Sequence, residues 1–295
     1  MTVSRAWKRV VTILILAVAA LYAALVLVAL ASDRFIFPAP WAGYDDAALA
    51  AALVRETPAG RLVRFRSGDE ELAGFHLPNP QARYTLLFSH GNGEDLAGVL
   101  PLARAYRQAG YAVFAYDYRG YGTSTGRPSE AGLYADALAA WDCLTARLGV
   151  PSGRVVAMGR SLGTAAAIEL ARLRPVAGVV LEAPLLTAFR TVVPFRVLPW
   201  DKLRSMDKVA EIRAPLLVIH GRTDEVIPYW HGERIFALAA GPKRFVAVDE
   251  GRHMDALHIA RDRYLGALRD FVELLDAAAA GPGVPRDARA AQADR

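Results

Sequence analysis

Gly159-Arg160-Ser161-Leu162-Gly163 has the form G-x-S-x-G, a spacing that can present a serine hydroxyl as a nucleophile toward an acyl carbonyl. The apolar run Val155-Val156-Ala157-Met158 precedes it and a helix-forming stretch, 164–173, follows it, which is the strand–turn–helix setting such a serine needs. The turn must be sharp, and glycines at 159 and 163 allow strand and helix to approach closely. The N-terminus of the following helix adds a field favourable to a developing oxyanion.

A serine hydroxyl needs a base. The chain has 6 histidines. His76 falls on an early hairpin strand, His90 and His220 end strands and are followed by glycine, and His231 and His258 fall in or beside helices. Only His253, in Glu250-Gly251-Arg252-His253, combines a late position with a loop, so it is the expected base. The orienting acid should lie between serine and histidine in chain order. Asp224 follows the strand Leu216–Ile219 directly and is expected at the same sheet edge as Ser161. Asp201 and Asp207 belong to an insertion, Asp249 ends another strand, and Glu225 would point away if Asp224 points inward. Two backbone N–H groups are expected to hold an oxyanion. One belongs to Leu162, and the other to Asn92 in His90-Gly91-Asn92-Gly93, with Gly91 as the near alternative.

The elements that must position these groups alternate. Strands are expected at 61–66, 71–77, 84–89, 111–116, 155–159, 176–182, 216–220 and 244–248. Helices are expected at 45–55, 96–109, 130–148, 162–173, 230–239 and 258–280. The first two strands read as an antiparallel hairpin. The rest predict an α/β fold, a mostly parallel central sheet with helices on both faces. The stretch 184–215 carries Pro194, Pro199 and Trp200 and no clean strand, and reads as a small cap insertion across the strand tops. The polar, Gly- and Pro-broken end, 281–295, reads as a disordered tail.

Val10 to Ala31 contains no charge and one polar side chain, Thr12. As a helix it would extend about 33 Å, enough for a hydrocarbon core of roughly 30 Å. Arg5, Lys8 and Arg9 precede it, whereas Arg34 stands beside Asp33 and the next basic residue is Arg55. This asymmetry predicts a single-pass membrane anchor over 1–34, with the catalytic domain, 35–280, on the extracytoplasmic side. Ala29-Leu30-Ala31 also fits a signal-peptide cleavage pattern, but the apolar run exceeds the usual length of a signal core.

The 295 residues suit one large domain or two small ones, and 54% hydrophobic content can build a sizeable core. The net charge of +5 comes from scattered residues, with no dense basic run, so no nucleic-acid partner is expected. One cysteine, Cys143, excludes an intrachain disulfide, and its Ala-rich helical setting predicts a buried, inert thiol.

H-G-N-G at 90–93, Asp117-Tyr-Arg-Gly-Tyr-Gly-Thr-Ser124, G-R-S-L-G at 159–163, H-G-x-x-D-x-V-I-P at 220–228 and G-x-H at 251–253 together carry a resemblance. With the segment Arg34–Pro38 after an apolar helix, they resemble the membrane-anchored α/β-hydrolase-domain-containing serine hydrolases, near the serine aminopeptidase-like group. Thr164 departs from that pattern, where a second glycine commonly follows the nucleophile motif, and so does Met254, where asparagine is frequent. The resemblance implies an α/β-hydrolase fold, a Ser161–His253–Asp224 triad and an acyl-enzyme route that needs no metal or organic cofactor. Related proteins include esterases, thioesterases, lipases and peptidases. The expected activity is cleavage of an acyl ester or thioester of a small or lipid-like substrate. An aminopeptidase-like activity and a non-catalytic, membrane-tethered binding role are the alternatives. The peptidase ranks lower because the insertion looks cationic, whereas a substrate amine needs an acidic pocket.

Overall fold

The computed structural model describes residues 5–38, 43–195 and 198–280, so the polar tail 281–295 lies outside it. A long apolar helix, α1 (Arg5–Leu30), leads into a single turn, α2 (Asp33–Ile36), and then α3 (Asp46–Glu56), which Asp45 caps by accepting from the Ala48 N–H. Next come β1 (Arg61–Ser67), β2 (Glu70–Leu77), β3 (Thr85–Ser89), α4 (Leu96–Gln108), β4 (Ala112–Tyr116), α5 (Glu130–Asp142), β5 (Val155–Arg160) and α6 (Gly163–Leu173). There follow β6 (Gly178–Glu182), α7 (Ser205–Lys208), β7 (Leu216–Gly221), α8 (Trp230–Leu238), β8 (Lys243–Val248), α9 (Ala256–Ile259) and α10 (Arg261–Ala279).

The strands form one 8-stranded sheet in the order β1-β2-β4-β3-β5-β6-β7-β8. β2 is antiparallel to β1 and to β4, so the hairpin extends the sheet, and the other pairs are parallel. Alternation along the central strands divides the core into two layers. Val155 and Ala157 of β5 pack toward α5 and α6, whereas Val156 and Met158 pack toward α4 and α10. Central strands buried on both faces explain the nearly continuous apolar runs of β3 to β7.

Two helices differ from the sequence pattern. The stretch 130–148 widens after α5 into a π turn, Cys143–Arg147, where the Leu148 N–H reaches Cys143 O at 3.0 Å. There the Thr145 hydroxyl bonds back to Trp141 O. The stretch 258–280 is broken at Ala260, whose φ of −127° and ψ of 47° separate α9 from α10; no Gly or Pro marks that break.

Among the described residues of 184–215 there is no strand. The segment is organised around Asp201, which accepts from Thr187 Oγ1 at 2.6 Å and from the Phe189 N–H at 3.0 Å. The Leu203 N–H donates to Glu130 Oε1 and ties it to α5. At the N-terminus, 24 residues of α1, Trp7–Leu30, are long and apolar enough to cross a membrane. The strap after α1 is fastened to the sheet domain. Phe37 is buried in the core, Asn92 Nδ2 donates to Ile36 O at 2.8 Å, and Lys202 Nζ lies 2.5 Å from Asp33 Oδ1.

Candidate active site

Ser161 follows β5 with φ at +52°, in the left-handed region that a residue with a Cβ occupies only at a cost of about 1–3 kcal/mol. The surroundings hold it there. Its N–H donates to Glu182 O of β6 at 2.9 Å, and its carbonyl accepts from the Thr164 N–H at 3.0 Å and from Thr164 Oγ1 at 2.6 Å. The two glycines have steric reasons. A Cβ on Gly159 would lie 2.3 Å from Gly163 O, and one on Gly163 would lie 2.0 Å from Ser89 O. Strand, turn and helix therefore meet backbone to backbone.

His253 sits on the loop after β8. Its Nε2 is 2.9 Å from Ser161 Oγ, and its Nδ1 is 2.9 Å from Asp224 Oδ2. Asp224 lies in the turn after β7, where Oδ1 accepts from the Val226 N–H at 2.9 Å and the Ile227 N–H at 2.8 Å. The two loops are stitched together: Gly251 O accepts from the Thr223 N–H at 3.1 Å and from Thr223 Oγ1 at 3.0 Å. Burial alone pushes the Asp224 carboxyl up. Hydrogen bonds from His220, His253 and the Ile227 N–H outweigh it and hold the carboxyl well below the usual carboxylate range. Asp224 is thus an anion fixed in orientation by backbone donors. Glu225 is exposed.

Leu162 and Asn92 flank Ser161 in the same cavity. Among the described residues, neither backbone N–H donates to a protein acceptor. The Gly91 N–H, by contrast, donates to Glu94 Oε2 at 2.7 Å. Glu94 also ion-pairs with Arg160, so one carboxylate links the serine turn to the H-G-N-G loop. Asn92 is locked by its side chain, which accepts from Tyr121 OH at 2.8 Å and donates to Ile36 O.

Sequence reasoning missed three contributors. Thr164, which departs from the family pattern, holds the Ser161 carbonyl. His220 Nε2 donates to Ile227 O at 2.9 Å and lies 3.3 Å from Asp224 Oδ2; the H-G-x-x-D spacing was the available signal. The ion pair of Glu94 carries no local signature, because Arg160 lies 66 positions away in the chain. Asp117 is a buried structural group that accepts from Tyr44 OH at 2.8 Å and the Leu96 N–H at 3.1 Å. Cys143 is buried, and burial pushes its thiol up.

Ser161 and His253 open into a cavity of about 890 Å³, walled by residues of 185–195 and 198–203, by Val226, Ile227 and Met254, and by residues of α1 and α2. A separate, more open groove of about 610 Å³ between β1 and α5 contains none of these groups. Among the described residues, no cluster of three or more His, Cys, Asp or Glu side chains could hold a metal ion.

A strained serine turn between a parallel strand and a helix, with acid and histidine on loops after later strands, agrees with the comparisons. Residues 80–205 match the family model described as serine aminopeptidase, S33. The α/β-hydrolase domain-containing protein aho-3 of Caenorhabditis elegans is 37% identical over 218 residues, covering 72% of this chain and 65% of that protein. The α/β-hydrolase domain-containing protein 17B of Xenopus tropicalis is 36% identical over 217 residues, covering 72% of this chain and 74% of that one. This chain belongs to the α/β-hydrolase domain-containing family. The fold of this α/β hydrolase is also that of a Pyrococcus furiosus esterase, with a TM-score of 0.63 at 18% identity, covering 80% of this chain and 98% of the esterase. The chain thus spans about two thirds to three quarters of the length of the relatives it matches.

Proposed function

We infer that this α/β hydrolase is a serine hydrolase that cleaves an acyl ester or thioester through an acyl-enzyme on Ser161. The observation that carries the reading is the hydrogen-bonded relay from Asp224 through His253 to Ser161 Oγ, at 2.9 Å on each side of the imidazole, at the floor of a largely apolar cavity. His253 Nε2 takes the Ser161 proton as Oγ attacks the acyl carbon. Asp224 keeps the Nδ1–H tautomer and stabilises the imidazolium. The Leu162 and Asn92 N–H groups receive the oxyanion. As the tetrahedral intermediate collapses, His253 returns the proton to the departing alkoxide or thiolate. Water then attacks the acyl carbon, losing its proton to His253, and Ser161 Oγ leaves with that proton.

The serine aminopeptidase description of the matching family model favours a second reading, a peptidase that releases N-terminal residues. A substrate amine would need a free carboxylate near Ser161. Asp201, the acid lining the cavity, is bonded to Thr187 and to the Phe189 and Lys202 N–H groups, so the ester reading ranks first. We also propose that α1 stays uncleaved as a single-pass anchor with the catalytic domain extracytoplasmic. The basic residues Arg5, Lys8 and Arg9 before the apolar run and the fastening of α2 to the domain support this.

Labelling of the full chain with a fluorophosphonate, followed by a panel of p-nitrophenyl esters, acyl thioesters and aminoacyl-naphthylamides, tests the reading. Ser161→Ala should lose labelling and ester cleavage. Equal labelling of the variant would remove Ser161 as nucleophile, and cleavage of aminoacyl-naphthylamides alone would reverse the order of the two readings.

A further inference from the structure

The helix that reads as an anchor also builds the site. Leu25, Val28, Ala29 and Ser32 line the Ser161 cavity. Their spacing is i, i+3, i+4 and i+7, one face of a helix. Ala29 is 6% exposed, Leu25 and Val28 on the same face are 42% and 60% exposed, and Leu27 and Leu30, off that face and outside the cavity lining, are 67% and 64% exposed. One side of the last turns of α1 thus lines an open part of the cavity and the other remains free for a lipid environment. The mouth continues the apolar character, with Phe35 73% and Val192 84% exposed. An apolar rim of this kind is costly in water and favourable at a bilayer interface.

Four polar wall residues are already bonded within the protein and offer little to a peptide. Ser32 Oγ bonds Ala29 O, Thr191 Oγ1 bonds Ala188 O, Asn92 bridges Ile36 and Tyr121, and Asp201 is bonded within the cap segment. A peptide backbone brought into such a cavity would leave polar groups unpaired, whereas an alkyl chain needs no polar partner. The geometry points to a long-chain acyl ester of a bilayer lipid as the substrate, its acyl chain passing from the membrane along the Leu25–Val28–Ala29 face of α1 to Ser161. This deepens the proposed serine-esterase reading and rests on it. On this assignment α1 is a specificity wall as well as a tether, and each additional methylene that leaves water along it is worth about fourfold in kcat/KM.

The full chain in nanodiscs of ether-linked phosphatidylcholine, which holds no ester of its own, tests the assignment. Ala29→Phe fills the wall, and the ratio of kcat/KM for p-nitrophenyl octanoate over acetate should fall at least tenfold. Leu27→Phe, on the free face, should leave that ratio and the acetate rate at wild-type values. Val28→Trp carries the same expectation as Ala29→Phe, should the latter fail to fold. In the same nanodiscs the wild type should cleave a long-chain monoacylglycerol, and Ala29→Phe should slow it. An unchanged ratio in both wall variants overturns the assignment while acetate hydrolysis keeps the esterase reading intact. Cleavage of an S-acylated peptide but not of the monoacylglycerol overturns the lipid assignment. Absence of any Ser161-dependent ester cleavage overturns both.

Discussion

Replacing Asp224 by Asn changes one atom and tests how His253 is held. Oδ1 of Asp224 accepts two backbone donors, the Val226 and Ile227 N–H groups, and both still need an acceptor in the variant. The amide oxygen of Asn must therefore occupy the Oδ1 position, which puts the NH2 group at the Oδ2 position, facing His253 Nδ1 at 2.9 Å. An NH2 group can only donate there, so an Nδ1–H loses its nearer acceptor and keeps only the shared Oδ1 at 3.1 Å, already taken by two backbone donors. That favours the tautomer with the proton on Nε2, which then points that proton at Ser161 Oγ and cannot accept the serine proton. The imidazolium also loses its counter-charge. A tautomer trap of this kind costs about 10⁴ in kcat, or about 5 kcal/mol of barrier. Because both backbone bonds survive, the fold should be retained, with unchanged far-UV circular dichroism. The assay is steady-state hydrolysis of p-nitrophenyl acetate by Asp224→Asn and wild type, with the Ser161→Ala rate as the floor. A kcat within tenfold of wild type would refute the reasoning, since the pinned Oδ1 leaves no other amide orientation.

Further expectations concern the scaffold. Gly163→Ala places a Cβ 2.0 Å from Ser89 O and 2.6 Å from His90 O, backbone atoms that have nowhere to go, and should cost about 3 kcal/mol or more in urea unfolding. Gly153→Ala meets nothing within 4 Å and should be neutral or stabilising by about 0.4–1 kcal/mol; equal losses in the two would remove the steric argument. Thr164→Val deletes the 2.6 Å bond to Ser161 O and should cost about 1 kcal/mol, with a lower kcat and little change in KM. Burial, with Arg61 nearby, pushes the His76 imidazole down to about 4. The unfolded chain takes up that proton below about 6.5 and the folded chain does not. Stability is therefore full above about pH 6.5 and falls as the pH drops toward 4, by at most about 3 kcal/mol from this group. His76→Leu should flatten that slope between pH 7 and 4.5 in urea titrations, and an unchanged slope would show that other groups carry it.

Much of the architecture was legible because period and topology share a cause. Strands covered on both faces must be apolar throughout, as Leu86–Phe88 and Val155–Met158 are, and amphipathic stretches between them must be helices on the two faces. The serine turn was legible because its steric demands are local: glycine on both sides, strand before, helix after. The break at Ala260 was not, because it depends on how α9 docks and leaves no trace in composition. The hairpin 61–77 could be read as a pair, but its addition to the edge at β4 is a property of the assembled sheet.

The sequence by itself determined the residue types, their order and their positions at strand ends: Ser161 after one strand, Asp224 after a later one, His253 on the last loop. Chain order and hydrophobic period are one-dimensional properties, and they suffice to name a fold and candidates. Tertiary structure alone decided the contacts made across the chain. It brought Nε2 of His253 within 2.9 Å of a serine 92 positions away. It gave the Gly91 N–H to Glu94 and left those of Leu162 and Asn92 without protein acceptors among the described residues, and it turned one face of an apolar N-terminal helix into a wall of the cavity. Those contacts depend on distances between segments, which packing of the two apolar layers sets and which no local pattern encodes.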